Sequence, residues 1–163
     1  MKTKFILVIL ILLFITPLSY AQQSNLTEYG NFSLETSVLT RHWSGNSTYN
    51  NQPGLFVLEY HLPNSKLYGL ASFENSFYQP SWYLYTGKTY QLYQAHDFKF
   101  RWKVTAGIVH GYDDENGKYG GFINQLGTFP AIMPTIGFNY KHVVVDLLPL
   151  ANEGFLIAAG LRF

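Results

Sequence analysis

The sequence predicts an all-β protein, an eight-stranded antiparallel transmembrane β-barrel preceded by a cleavable signal peptide. Three observations lead to this prediction. Apolar and polar residues alternate through eight segments, 18% of the residues are aromatic, and only 13% are charged. Alternation is the period of a strand whose two faces meet different surroundings. Sparse charge with many aromatic rings is typical of a barrel whose outer wall contacts lipid.

The composition excludes several classes of protein. The chain has 163 residues, which suits one domain, and its 11 basic and 10 acidic residues leave a net charge of +1. Such a chain has no electrostatic footprint for nucleic acid. It has no cysteine, so it forms no disulfide framework and no thiolate metal site. Because no phosphate loop and no metal-ligand spacing occur either, we expect neither a cofactor nor a metal.

The N-terminus has the pattern of a secretory signal. It contains Lys2 and Lys4, then the apolar run Phe5–Ile15, then Pro17 and Ser19-Tyr20-Ala21. This order of basic, apolar and small residues predicts a signal peptide of residues 1–21 with cleavage before Gln22. An uncleaved anchor is disfavoured, because a spanning helix needs about 20 apolar residues. A short segment, 22–33, then precedes the barrel, 34–163.

Eight alternating segments are expected to be the strands of the barrel. They are Leu34–Trp43, Gly54–Leu62, Lys66–Ser76, Ser81–Tyr93, Phe98–Tyr112, Ile132–Tyr140, His142–Leu148 and Gly154–Phe163. The pattern is clearest in the fifth, where one face is apolar and the other carries three cations, Lys99, Arg101 and Lys103. Those cations suit either water outside a soluble sheet or a polar lumen, so this strand alone leaves both alternatives open.

The connections and the C-terminus point to the outer membrane of a Gram-negative envelope. Tight connections at Pro63-Asn64-Ser65, Gln94–Asp97 and Lys141 alternate with mostly longer ones at Ser44–Pro53, Phe77–Pro80, Asp113–Ala131 and Pro149–Glu153. Short turns at one end and longer loops at the other are the outer-membrane pattern. The last strand ends in an aromatic residue, Phe163, which is the kind of signal that the barrel-assembly machinery reads. We expect that machinery as a partner, and a monomeric barrel.

Two residues that could take part in catalysis lie near the expected outer rim. His42 ends the first strand, and Ser76 follows Glu74 and Asn75 at the end of the third. We call His42 and Ser76 the rim pair. First and third strands of an eight-stranded barrel are close, so a His base and a Ser hydroxyl could meet there and activate an acyl transfer. The alternative is that both are ordinary solvated residues at loop edges.

Several segments of the chain resemble a known family. The segments are Tyr49-Asn50-Asn51-Gln52-Pro53-Gly54, Leu67–Phe77, Pro130-Ala131-Ile132-Met133-Pro134 followed by Gly137 and Tyr140, Val143–Pro149, and the terminal Arg162-Phe163. Over Thr40–Phe163 they resemble the lipid A palmitoyltransferase family of small outer-membrane barrels (PagP-like). That family has a Tyr-Asn-x-x-Pro motif before its second strand and a third strand that ends in Asp-Ser-Trp.

The resemblance implies an activity, a site and partners. The family moves an acyl chain from a phospholipid to lipid A with a His, an Asp and a Ser at the outer rim. His42 and Ser76 fall at the His and the Ser, and Asn75 falls at the Asp. Gly87 falls at the glycine that floors the acyl pocket. Phospholipid and lipid A are therefore the implied partners, and His42, Asn75 and Ser76 the implied catalytic residues.

Asn75 decides between the two functions that remain. An amide cannot act as a base or stabilise an imidazolium as a carboxylate does. The sequence therefore favours a non-enzymatic barrel that stabilises the envelope or binds a ligand or partner through its loops. The alternative is a lipid A acyltransferase. A lumen filled by pairs of Arg101, Lys103 and Glu59 would favour the first, and an apolar pocket beneath the rim pair, floored near Gly87, the second.

Overall fold

The fold is that of a computed structural model, which describes residues 30–44, 49–115 and 122–163. The expected signal peptide, 1–21, and most of the short segment that follows it lie outside the described residues. Within the described part of the chain, no helix has the length and apolar character to cross a bilayer.

Eight antiparallel strands close into a barrel, as the alternation predicts. They are β1 (Asn31–His42), β2 (Phe56–His61), β3 (Lys66–Glu74), β4 (Pro80–Ala95), β5 (Phe98–His110), β6 (Thr128–Tyr140), β7 (Val143–Leu150) and β8 (Gly154–Arg162). Each strand pairs with its sequence neighbours, and β8 returns to pair with β1. The fold class predicted from the sequence is confirmed.

Two strands begin three or four residues earlier than predicted, and the other strand ends differ from the predicted ones by at most two residues. β1 begins at Asn31 rather than Leu34, because its first residues pair with the end of β2. β6 begins at Thr128 rather than Ile132, because residues 128–131 continue the pairing with β5. The loop expected between β5 and β6 also contains a short helix, α1 (Phe122–Leu126).

The two ends of the barrel differ in their connections. The turn end carries the connections 62–65, 96–97 and 141–142, together with both ends of the described chain. The loop end carries 43–55, 75–79, 111–127 and 151–153. The two long connections therefore lie at the same end, as predicted, although 75–79 and 151–153 are short.

Successive side chains of each strand point to opposite faces of the sheet, one to the outer wall and one to the lumen. The outer wall is apolar. On β3, Tyr68 and Leu70 are exposed on the outside, whereas Leu67 and Ala71 are buried in the lumen. Exposed aromatic rings lie towards both ends of the wall, for example Trp43 and Trp82 near the loop end and Tyr140 and Phe163 near the turn end.

A β-bulge in β1 controls which of its side chains enter the lumen. The pairing of β1 with β8 shifts between Ser37 and Leu39. Ser33 and Glu35 are buried before the shift, and Thr40 and His42 are buried after it. Without the extra residue, the alternation would turn His42 outward.

The lumen is divided into two layers. The layer nearer the turn end is charged and includes Glu35, Glu59, Arg101, Lys103 and Asp146, all at most 4% exposed, with His61 beside Glu59. We call it the charged layer. The layer nearer the loop end is apolar and includes Leu55, Val57, Ala71, Tyr83, Val109 and Leu156, packed with Phe73, Phe129, Met133 and Leu148. We call it the apolar layer.

Candidate active site

The rim pair is in contact. His42 is the last residue of β1 and is only 6% exposed, and Ser76 lies in the turn after β3. The distance between His42 Nε2 and Ser76 Oγ is 3.1 Å. This is hydrogen-bond distance between a hydroxyl and the imidazole nitrogen that would take its proton. The structure therefore brings together the two residues that the sequence placed at the rim.

The other nitrogen of the imidazole contacts an amide that is not among the predicted catalytic residues. His42 Nδ1 lies 2.9 Å from Asn51 Oδ1. The Asn51 amide nitrogen donates to the carbonyl oxygen of Tyr49 at 3.4 Å, which fixes the orientation of the amide. Because an oxygen faces Nδ1, Nδ1 carries the proton and Nε2 is the free acceptor for the Ser76 hydroxyl.

Residues of the 43–55 connection hold this arrangement in place. The Tyr49 ring stacks on the His42 ring with centroids 5.0 Å apart. Asn50 is 2% exposed, and its backbone N–H donates to the carbonyl oxygen of Ser76 at 3.0 Å. The Asn50 side chain also donates to the backbone and carboxylate oxygens of Glu74, at 3.4 Å each. The connection is thus bonded to the end of β3 that carries the Ser76 hydroxyl.

Asn75 has a structural task in the β3–β4 turn. Its side-chain oxygen accepts the backbone N–H groups of Phe77 at 2.8 Å and Gln79 at 3.2 Å. Its side-chain nitrogen donates to Gln79 Oε1 at 2.9 Å and to the carbonyl oxygen of Gly111 at 3.3 Å. These contacts use the amide both as donor and as acceptor, which a carboxylate could not do.

Asn51, and not Asn75, therefore occupies the position beside the imidazole. The sequence could not distinguish the two amides, because contact with His42 depends on how the 43–55 connection returns to the rim. The one sequence feature that could have indicated Asn51 is its place in the Tyr49–Gly54 segment, which resembles a motif of the palmitoyltransferase family.

A gap in the barrel wall opens beside the rim pair. β1 and β2 pair only as far as Thr36 and Phe56, so the last residues of β1 have no ladder with β2. The hydroxyls of Thr36 and Ser37 instead bond the backbone of Leu55, at 2.7 and 3.3 Å. The gap contains a cavity of about 360 Å³, lined by residues 36–40 together with Asn51, Gln52 and Gly54.

Thr40 provides an unused polar group at this cavity. It is 7% exposed, lines the cavity, and its hydroxyl has no hydrogen-bond partner among the residues that the structure describes. A buried hydroxyl without a partner costs free energy unless a bound molecule supplies one. The cavity thus combines a free hydroxyl with the Asn51 amide on one side of His42.

A second gap lies between β6 and β7. Their pairing begins only at Ile136 and Leu147, so the loop-end part of β6, residues 128–135, has no ladder with β7. Pro130, Pro134 and Pro149 lie in or next to these unpaired stretches and have no N–H to donate. The wall is therefore weakly bonded at two places at the loop end.

The lumen beneath the rim pair is apolar and filled by side chains. Tyr83 and Tyr85 stack with ring centroids 4.5 Å apart. Tyr112 packs edge-on against Phe129 with centroids 5.4 Å apart. Burial raises the pKa of the Tyr112 hydroxyl, so this side chain stays neutral among the packed side chains of the lumen.

Gly87 lies deeper than the rim pair. It pairs with Leu67 and Thr105, on the turn-end side of Tyr85. A Cβ at Gly87 would lie 2.5 Å from the carbonyl oxygen of Val104 and 2.8 Å from the Thr105 methyl. The glycine therefore allows a close approach of β4 to β5, and the stacked tyrosines separate it from His42. Its predicted role as an acyl-pocket floor stays a prediction.

The charged layer closes the lumen below. Lys103 Nζ lies 2.6 Å from Glu59 Oε1 and 2.7 Å from Asp146 Oδ2. Arg101 Nη2 lies 2.7 Å from Asp146 Oδ1. Glu59 also accepts from the Tyr85 hydroxyl at 2.8 Å. Arg101 and Lys103 of β5 therefore point into a polar lumen. The alternation had left two surroundings open for these cations, water outside a soluble sheet and a polar lumen, and the structure has the second.

No group of three or more His, Cys, Asp or Glu side chains in the described ranges is arranged to hold a metal ion. No protein-family model matches this chain, and no curated protein matches it significantly. The family resemblance is therefore supported by the sequence segments alone, whereas the eight-stranded barrel is seen directly in the strand pairing.

Proposed function

We propose that this chain is an outer-membrane barrel that transfers an acyl chain from a phospholipid to a lipid acceptor at its loop end. The observation that carries the proposal is the series of contacts from Asn51 to His42 to Ser76 beside a wall cavity. A hydroxyl, a base and a group that orients the base are the parts that nucleophilic acyl transfer requires.

The contacts suggest how each group acts. His42 Nε2 takes the Ser76 proton as Oγ bonds to the donor's acyl carbon, and the ester C–O bond of the donor breaks. The proton then passes from His42 to the leaving alkoxide. In the second half, His42 takes the proton of the acceptor hydroxyl, whose oxygen bonds to the acyl carbon. The bond to Ser76 Oγ breaks, and Ser76 regains a proton from His42.

Asn51 has a supporting part in this scheme. Its oxygen holds the imidazole in the tautomer that leaves Nε2 free, but a neutral amide stabilises the imidazolium less than a carboxylate would. The sequence argued against catalysis because Asn75 replaces an acidic residue. That argument now applies to Asn51, because Asn51 and not Asn75 lies beside the imidazole, and this position still carries an amide instead of a carboxylate.

Lipid is the substrate class that suits the surroundings of the site. The outer wall is apolar, and both gaps open through the wall towards lipid. Beneath the rim pair lies the apolar layer, whose side chains can yield to an acyl chain more readily than the ion pairs below. Lipid A as acceptor and a phospholipid as donor follow from the resemblance to the palmitoyltransferase family.

One observation favours the non-enzymatic alternative. The lumen is occupied by packed side chains along its length, with stacked tyrosines above and ion pairs below. A barrel that only stabilises the envelope or binds a partner through its loops needs no room for an acyl chain. Acyl transfer requires the apolar layer to rearrange around its substrate.

The deciding experiment is mass spectrometry of lipid A from cells with and without the protein. We expect an added acyl chain that disappears in His42→Ala and Ser76→Ala. Asn51→Ala should lower the rate at least about tenfold by releasing the imidazole tautomer. His110→Ala is the matched control, because His110 also lies at the loop end but bonds Thr128, at 2.6 Å, and not Ser76. Unchanged lipid A with full expression would leave the non-enzymatic barrel.

Membrane placement has its own test. The mature chain, purified with detergent, should aggregate when the detergent is removed, because its outer wall is apolar. A chain that remains monomeric in water without detergent would refute outer-membrane placement, whatever the acylation result.

A further inference from the structure

The outer wall has a groove near the turn end that the acyl-transfer proposal does not use. It spans β3, β4 and β5 and has a volume of about 380 Å³. The residues that matter for its chemistry are Lys66, Tyr68, Thr86, Lys88, Tyr90 and Ala106. We call it the lysine groove.

The two lysines of the groove face each other directly. Lys66 and Lys88 are partners in the β3–β4 pairing, and both are exposed on the outer wall. No ion pair within the described ranges includes either of them. Like charges directly opposite each other in an antiparallel pair are destabilising. An anion between the two ammonium groups would remove that repulsion and give each of them a partner.

The surroundings of the lysines resemble a membrane interface rather than open water. The Lys88 ammonium lies 5.3 Å from the centroid of the Tyr90 ring. Tyr68, which is 56% exposed, lies beside Lys66 on the same face of β3. Lysines and tyrosines together are typical of the boundary between hydrocarbon and head groups. Lys66 is the first residue after the 62–65 connection, which places this boundary at the turn end.

The groove continues from the lysines as an apolar channel. Thr86 and Ala106 are opposite each other on β4 and β5 and carry small side chains, which leave a depression in the wall. Beyond them, towards the loop end, the outward residues are Leu84 and Ile108, which are 57% and 42% exposed. The groove thus has two positive charges at one end and apolar surface leading away from them.

We propose that the lysine groove binds one anionic glycerophospholipid of the leaflet at the turn end. Its phosphate lies between the Lys66 and Lys88 ammonium groups, and an acyl chain lies along Thr86 and Ala106. The proposal rests on the membrane placement proposed above. It is independent of acyl transfer, because the groove is on the outside of the barrel and the rim pair is at the opposite end.

The test is native mass spectrometry of the mature chain in zwitterionic detergent, titrated with phosphatidylglycerol. We expect one retained lipid. The variant Lys66→Gln/Lys88→Gln should lose about thirtyfold in affinity, since each lysine near an anionic lipid contributes about fivefold. Lys66→Arg/Lys88→Arg should keep the affinity within about threefold. The matched control is Lys141→Gln, because Lys141 is at the same end and contacts Tyr140 but has no lysine opposite.

Three results separate the explanations. Affinity in the double Gln variant within about threefold of the unmodified chain would overturn the proposal. Inorganic phosphate that displaces the lipid at equal concentration would also overturn it, since the site would then bind free anions rather than a lipid. His42→Ala should abolish acylation and leave phosphatidylglycerol binding unchanged, so failure of one proposal is distinguishable from failure of the other.

Discussion

Replacing Lys103 by methionine tests whether the charged layer stabilises the barrel. Lys103 is 4% exposed, and its ammonium contacts two buried carboxylates, Glu59 at 2.6 Å and Asp146 at 2.7 Å. Methionine has a similar length and no charge. The substitution therefore leaves both carboxylates in place and removes the cation between them.

The expected cost follows from the geometry. At an effective dielectric constant of about 20, each of the two contacts corresponds to about 6 kcal/mol of attraction. Much of this offsets the cost of taking the ammonium out of water. What remains is the penalty of leaving a buried charge uncompensated, about 3–5 kcal/mol in other proteins. Because Asp146 keeps Arg101 at 2.7 Å, the carboxylate that loses its lysine partner without another Lys or Arg is Glu59, which keeps the His61 imidazole at 3.1 Å.

The assay is urea unfolding of the chain refolded in phospholipid vesicles, followed by tryptophan fluorescence. We expect Lys103→Met to lower the free energy of unfolding by about 3–5 kcal/mol. Adding Glu59→Gln should recover about 2 kcal/mol, because the amide still accepts from Tyr85 and removes the unpaired charge. Lys99→Met, on the same face of β5 but exposed, should change stability by less than about 0.5 kcal/mol. A loss below about 1 kcal/mol for Lys103→Met would refute the reasoning.

Two further substitutions test the turn and the packing of the charged layer. Asn75→Asp should lower the free energy of unfolding by about 1–3 kcal/mol without raising acylation, because the donor to Gln79 is lost. Its control is Asn51→Asp, which should keep acylation, because it is the oxygen of Asn51 that faces the imidazole. Gly137→Ala should cost about 1–3 kcal/mol in the same urea assay, since the added methyl would collide with Asp146 Oδ1. Unchanged stability in Gly137→Ala would mean that both the Asp146 carboxylate and the Val145 backbone carbonyl, which the methyl would also meet, can move.

The strands of this barrel could be predicted because each has an apolar outer face and a lumen face. Period-two alternation records that difference at every position, so the number of strands and their order followed from the sequence. The same alternation continues into the first residues of β1, which the predicted strand left out, since Phe32 points outward and Ser33 inward. Helix α1 could not be predicted from periodicity, because a single turn of helix has too few residues to show a helical period.

The site could be predicted only in part, for a physical reason. Alternation predicts His42 on the lumen face only if the bulge between Ser37 and Leu39 is known, and one inserted residue leaves no signal in a polar stretch. The residue that contacts the other nitrogen of the His42 imidazole could not be predicted from the sequence either. Two asparagines, Asn51 and Asn75, both lie near the rim, and only the three-dimensional course of the 43–55 connection decides which one meets His42.

The two layers of the lumen explain how the loop end can be weakly bonded in a stable barrel. Backbone ladders are incomplete between β1 and β2 and between β6 and β7, and both interruptions lie at the loop end. At the turn end, every strand is paired with both neighbours, with one bulge in β4 between Gln91 and Tyr93. The charged layer links β2, β5 and β7 across the lumen through Glu59, Lys103 and Asp146. Cross-lumen ion pairs hold non-adjacent strands together, which hydrogen-bonded ladders alone do not. A barrel fixed in this way at one end can leave openings at the other, and the rim pair lies beside one of those openings.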